Sequence, residues 1–169
     1  MIKGINYNSR KIETYMGNLV NVFDPDPDSI DIRDIAHALS LNCRWGGHVR
    51  HFYSVAQHSL FCAEHVQGKY KKEALLHDAT EAYMIDLPRP IKLGLPEYKN
   101  IEKKLMKVIA KRFGIPYPFP GIIKRIDKKS LEIEWWYLRA NKTGEYADWF
   151  SEQLPSDIEA DFLRVYDSL

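Results

Sequence analysis

His77 and Asp78 stand side by side at the end of the apolar run Ala74-Leu75-Leu76, and Glu81 follows three residues after Asp78. On a helix, His77 and Glu81 are i, i+4 neighbours and Asp78 and Glu81 are i, i+3 neighbours. One turn then presents an imidazole and two carboxylates to one side. That donor set suits a divalent ion such as Mn, Fe, Co or Zn. Two residues of the same kind lie elsewhere: His58 in Ala56-Gln57-His58-Ser59, and Asp127 in Lys124-Arg125-Ile126-Asp127. Each sits among apolar neighbours, where an unpartnered polar group costs about 1–3 kcal/mol. Coordinating a common ion would remove that cost.

Helices must bring these residues together. The apolar spacing predicts a helix over 29–39, with Ile32, Ile35, Ala36 and Leu39 on its inner face and His37 beside them as a structural histidine. A second helix over 54–66 carries His58, with Ser54 as N-cap and Gly68 as the stop beyond its end. A third over 70–84 carries the His-Asp pair and ends at Leu87-Pro88-Arg89-Pro90. Residues 96–113 form an amphipathic helix stopped by Gly114, with lysines on its outer face. A long helix over 121–141 carries Asp127 and turns Ile123, Ile126, Leu131, Trp135 and Leu138 inward. Ser156 with Glu159 predicts a capping box on a last helix. Residues 1–30 read as irregular, with a small hairpin around Gly17-Asn18. Asp24, Asp26 and Asp28 do not make a calcium loop, because prolines alternate with them and no central glycine is present. The expectation is an all-α fold, a single domain over 1–169 with a short irregular or hairpin N-terminal segment.

The 169 residues are 45% hydrophobic, enough for a sizeable core and against disorder. A net charge of +1 excludes a broad basic face for duplex nucleic acid. No apolar run approaches the ~20 residues that span a bilayer. The N-terminus lacks the apolar segment of a signal peptide. Cys43 and Cys62 have neither disulfide-framework nor zinc spacing and read as reduced, buried thiols. A cytoplasmic protein is the expectation.

In the order His58, His77-Asp78, Asp127, the sequence resembles the HD-domain metal-dependent phosphohydrolases. The likeness is greatest to the small 5′-deoxynucleotidases and to phage enzymes that strip triphosphate from dATP. It is carried by Arg44-Trp45, the segment around His58, the stretch from His77 through Asp86 to Lys92, and Lys124 to Asp127. The resemblance implies a helical bundle in which His58, His77, Asp78 and Asp127 bind one divalent transition metal (Co, Mn, Zn or Fe), with room for a second ion such as Mg brought by the substrate phosphates. It implies Glu81 as the catalytic carboxylate. It also implies Arg44, Lys92 and Lys124 as phosphate contacts, Asp86 near the sugar, and Trp45 as the wall that excludes a 2′-hydroxyl.

The implied activity is release of phosphate from deoxynucleoside 5′-monophosphates. The alternatives are a dNTP triphosphohydrolase on the same site, a phosphodiesterase of cyclic or signalling nucleotides, and a non-catalytic nucleotide-binding module. Arg44-Trp45 disfavours the phosphodiesterase, and the full ligand set with Glu81 disfavours the module. Two departures from the bacterial deoxynucleotidases bear on the pocket: a shorter connection between His58 and His77, and Gly46-Gly47 where larger residues shape a base pocket. The family forms homo-oligomers, and Trp136, Tyr137 and the Trp149-Phe150 tail are the candidate interface. His48, His51 and His65 have no assigned role, although His65, two turns beyond His58, could face the same side.

Overall fold

The computed structural model describes residues 10–140 and 143–169. The chain opens with a hairpin of two short antiparallel strands, β1 (Ile12–Glu13) and β2 (Leu19–Val20), paired Ile12 to Val20. The hairpin is tied down by Asp34, which accepts bonds from Thr14 Oγ1 (2.8 Å), Met16 N (2.7 Å) and Asn18 Nδ2 (2.9 Å). Met1 to Ser9, part of the irregular segment expected over 1–30, lies outside the described residues.

Asp34 belongs to α1 (Ile32–Leu41), which starts at Asp31: the Asp31 carboxylate accepts from Arg33 N. His37, as expected, is held structurally, by Glu159 at 2.9 Å and by stacking on Tyr15. Next comes α2 (Val55–Glu64), opened by a complete capping box of Ser54 and Gln57. Every residue of α2 from Val55 to Ala63 is buried, so this helix runs through the core rather than along its surface. It ends at His65, before Gly68, which instead opens a short 3₁₀ turn.

The expected helix over 70–84 is in fact two, α3 (Lys71–Leu76) and α4 (Glu81–Met84). Between them the chain winds in i to i+3 bonds, Leu76 O to Ala79 N and Asp78 O to Glu81 N. The short α5 (Arg89–Leu93) has Pro90 in its first turn, where a missing N–H costs nothing. The amphipathic helix α6 (Pro96–Phe113) has the expected bounds, closed by Gly114 in the left-handed conformation at φ 66°.

Helix α7 (Gly121–Glu134) passes into a π turn at Trp135–Arg139. The inward face of α7 runs through Ile123, Ile126, Ser130 and Glu134, which puts Leu131 off it, and the change of winding turns Trp135 out as well. Ile123, Ile126 and Leu138 are buried as expected, but Leu131 (37% exposed) and Trp135 (43%) face outward. Position 141, the expected end of this helix, lies outside the described residues. The last helix, α8 (Pro155–Asp167), has no side-chain cap, because Glu159 is spent on His37 and Ser156 is the second residue of the helix.

Helix α2 packs against α1, α3, α7 and α8. Val55, Ala56, Leu75, Leu76, Leu105, Ile109, Ile123 and Phe162 belong to the main core. Tyr53, Phe61, Leu138 and Phe150 form a second cluster. Of the aromatics proposed as an interface, Trp136 is exposed, whereas Phe150 is buried and Tyr137 stacks on it. Trp149 packs against both clusters. Cys62 is a buried free thiol, and Cys43 is only partly buried. Helix dominates the described residues, so the fold class is all-α, and among those residues no helix is long and apolar enough to cross a membrane.

Candidate metal centre and cleft

Three segments meet at one point. His58 comes from the centre of α2, His77 and Asp78 from the break between α3 and α4, and Asp127 from the second turn of α7. His58 Nε2 lies 3.1 Å from His77 Nε2, 3.5 Å from Asp78 Oδ2 and 3.4 Å from Asp127 Oδ1. His77 Nε2 lies 3.3 Å from Asp78 Oδ2 and 3.9 Å from Asp127 Oδ1. Ligand bonds of ~2.1 Å place neighbouring donor atoms about 3.0–3.4 Å apart, so this set fits one divalent ion. Nitrogen and carboxylate oxygen are also the donors such an ion takes.

The histidines are oriented from behind. His77 Nδ1 donates to Ala74 O at 2.7 Å, and His58 Nδ1 donates to Glu134 Oε1 at 2.6 Å. Both Nε2 atoms are thereby turned toward the carboxylates. Burial, and for His58 also Arg44, lowers the affinity of the two imidazoles for a proton, but the carboxylates and the Cys62 thiol around them outweigh it. His77 is raised to about 9 by Asp78 and Asp127, and His58 is also raised, with Cys62 and Glu134 the main contributors. Burial raises Asp127, yet bonds from His58 and His77 bring it well below the usual carboxylate range. A cluster that favours positive charge so strongly also favours a divalent cation.

Cys62, one turn beyond His58, puts its Sγ 3.7 Å from His58 Nε2 and 4.0 Å from Nδ1. His58, Cys62 and His77 thus form a group able to hold a metal. The near-equal distances set the sulfur alongside the ring rather than in line with Nε2, so the carboxylates are the better-aimed partners.

Asp78 and Asp127 of the cluster line a cleft of about 570 Å³, whereas the His58 and His77 side chains are buried and do not line it. Arg44, Trp45, Asp78, Glu81, Asp86, Lys92 and Asp127 all line it, joined by His48, Arg89 and Arg139. Glu81 is buried; its Oε1 accepts from Lys92 Nζ at 2.9 Å, and its Oε2 has no partner. Burial, then Asp78 and Asp86, raise its carboxyl to about 8 against the opposing pull of Lys92 and Arg44. Lys92 also reaches Glu102 at 2.9 Å. Lys124 is exposed and does not line the cleft, so the structure does not bring this expected phosphate contact to the site. His65 also turns away, stacked on Phe61 and bonded to its carbonyl, and His51 bonds to Phe150 O.

The residue that sequence reasoning missed is Glu134. It is fully buried, and its Oε2 accepts from Arg44 Nε (3.3 Å), Arg44 Nη2 (3.2 Å) and Trp45 Nε1 (3.2 Å). Burial alone would raise its carboxyl, but Arg44 and His58 bring it down to about 2. The available signal was its place two turns after Asp127 on the same helical face. Arg44 is therefore not a free anion clamp: it is buried between Glu134 and Asp78, its Nη1 3.5 Å from Asp78 Oδ2. Trp45 sits at φ 61°, a rare conformation for a bulky residue, and its ring lies under the Arg139 guanidinium at 5.9 Å.

No protein-family model matches the sequence. The chain is 43% identical over 123 residues to YfdR, an uncharacterized protein of Escherichia coli K12, in a match covering 73% of this chain and 69% of YfdR. It is 35% identical over 122 residues to an uncharacterized protein of Rhodobacter capsulatus, covering 66% of this chain and 62% of that protein. The chain belongs to the YfdR family.

Proposed function

We propose that the protein is a metal-dependent phosphohydrolase acting on deoxynucleoside 5′-monophosphates. The observation that carries this reading is the convergence of His58, His77, Asp78 and Asp127 on one point, two of them lining a cleft, beside a buried carboxyl with an unpartnered oxygen. These four residues would hold one divalent ion, which supplies a lowered pKa for water and offsets phosphate charge.

The chain's own groups do the rest. Glu81 is the proton carrier: Lys92 occupies Oε1, so the proton that its raised carboxyl retains up to about pH 8 sits on the buried, unpartnered Oε2, and a small turn of the side chain would bring it to the leaving ester oxygen. Arg44 and Lys92, the cations nearest the cluster, are each already paired with two carboxylates. Arg89 and Arg139 line the same cleft, and the choice of a monophosphate over the dNTP alternative rests on the likeness to the 5′-deoxynucleotidases. Trp45 forms the wall that meets the sugar, and Asp86 lines the same cleft.

The test is phosphate and triphosphate release from a panel of dNMPs, NMPs and dNTPs with Mg, Mn or Co. Hydrolysis of dNMPs is expected. Triphosphate release from dNTPs alone would shift the reading to the alternative, and tight nucleotide binding without any turnover would favour a binding module.

A further inference from the structure

Glu134 divides its two oxygens between two parts of the cleft. Oε1 takes the Nδ1 proton of His58, and Oε2 takes the N–H groups of Arg44 and Trp45. We propose that Glu134 is a positioning residue that couples the metal ligand His58 to the Arg44–Trp45 wall, so that ion affinity and sugar discrimination change together. The sugar half of this statement rests on the proposed nucleotide reading; the metal half does not.

On the metal side, a carboxylate at 2.6 Å fixes the proton on Nδ1 and leaves the Nε2 lone pair for an ion. Of the other neighbours of Nδ1, Ser130 Oγ at 3.3 Å has its own hydroxyl proton committed to Asp127 O at 2.7 Å, and Cys62 Sγ lies at 4.0 Å alongside the ring. Glu134 is therefore the group that decides the tautomer. On the wall side, Trp45 adopts a left-handed backbone that a large side chain tolerates only where its surroundings enforce it. The indole bond to Oε2 is such a constraint. A carboxylate is rigid, so a shift that either side imposes on one oxygen moves the other.

Glu134→Gln separates the two sides without changing volume. An amide has one accepting oxygen, and its NH₂ must then face an N–H donor. The charged Arg44 claims the oxygen, which turns the NH₂ toward His58 Nδ1. His58 then has to accept at Nδ1 and carry its proton on Nε2, where the ion binds. Co²⁺ affinity, measured by competition with a chromophoric chelator, should fall about 10–100-fold.

In the wild type, Co²⁺ titration should also perturb the near-ultraviolet circular dichroism of the indoles. The Trp45→Phe protein identifies the Trp45 part of that signal, and Glu134→Gln should lose it. The ratio of dAMP to AMP affinity, read by fluorescence, should drop in Glu134→Gln and in Trp45→Ala alike. If Glu134→Gln does not fold, Glu134→Asp carries the same measurements: it keeps the charge beside Arg44 but is too short to serve both sides.

Unchanged Co²⁺ affinity in a folded variant would overturn the proposal and leave Glu134 a structural ion-pair partner. So would a loss of Co²⁺ affinity with the Trp45 signal intact. If neither nucleotide binds the wild type, the nucleotide reading fails, while the Co²⁺ and circular dichroism measurements still decide the coupling.

Discussion

Asp78→Asn should remove most of the stabilisation by metal while leaving the fold intact. A ligand that binds only the folded chain at 100 times its Kd stabilises by about 2.7 kcal/mol. For a chain of this length, each kcal/mol moves Tm by roughly 2–4 °C. The wild type should therefore melt about 5–11 °C higher with saturating Co²⁺ or Mn²⁺ than in a chelator. Asp78 Oδ2 lies 3.5 Å from His58 Nε2 and 3.3 Å from His77 Nε2, so it contributes one of four donor atoms at the cluster. If its loss raises Kd ~100-fold, the same metal concentration only half-saturates the variant, and the gain falls to about 0.4 kcal/mol, or roughly 1–2 °C. The assay is differential scanning fluorimetry of both proteins with and without metal, with Glu81→Gln as control. Glu81→Gln should keep the full shift, because Glu81 pairs with Lys92 and its bonds do not include the cluster atoms. A wild-type Tm indifferent to Mn, Co, Zn and Fe, or an equal shift in Asp78→Asn, would refute the metal site and the hydrolase reading with it.

Glu81→Gln should lower kcat by ~10²-fold or more. Because the wild-type carboxyl is active in its protonated form and is raised to about 8, the wild-type rate should fall as pH rises through that value, a limb that Glu81→Gln lacks. Trp45→Ala should reduce the deoxy-to-ribo ratio of kcat/KM by about 10–200-fold, the range that pocket sterics supply; an unchanged ratio would make Trp45 a purely structural residue. Arg44→Ala should destabilise by about 3–5 kcal/mol in a urea melt, since it leaves the buried Glu134 carboxylate without its cation. Glu134 also makes stability depend on acid. Its folded value of about 2 lies below its usual 4.5, so the stability it contributes is complete above 4.5 and is lost as pH falls toward 2. That contribution is about 3 kcal/mol at most, and Glu134→Gln should flatten that limb of the stability curve.

Local chemistry was legible where it alone decides the outcome. Pro96 and Gly114 bound α6, and Ser54 caps α2, because a proline, a left-handed glycine and an N-cap hydroxyl act within a few residues; the capping box expected at Ser156 and Glu159 did not form. The four residues of the cluster could be named because their order and spacing resemble a known metal-binding pattern, although Asp127 stands among lysines and an arginine. Glu134 could not. It lies in a segment rich in Lys and Glu that reads as a solvated face, and its burial is enforced by Arg44, 90 residues away in sequence. The same distance hides the true role of Arg44. Its type suggested a phosphate clamp, but its position makes it the counter-ion of a buried carboxylate.

The irregularities of this chain are not scattered. The break at His77–Thr80, the left-handed backbone at Trp45 and Ile85 and the π turn after Glu134 each lie at or beside residues that line the cleft. Continuing α3 as a regular helix through Glu81 would satisfy the apolar spacing of the segment. The observed i to i+3 winding instead sets Asp78 and Glu81 on a different course from that helix. Widening α7 into a π turn at Trp135 keeps Leu138 in the second core cluster while Arg139 reaches the cleft. A left-handed Trp45 costs of order 1–3 kcal/mol and persists only where its neighbours over-determine it; here Glu134 holds the indole. Departures from local preference that gather around one cleft are best explained by a requirement of that cleft. The requirement supported here is the convergence of two imidazoles and two carboxylates from three separate segments on one point, with an aromatic wall and a proton-holding carboxyl beside it.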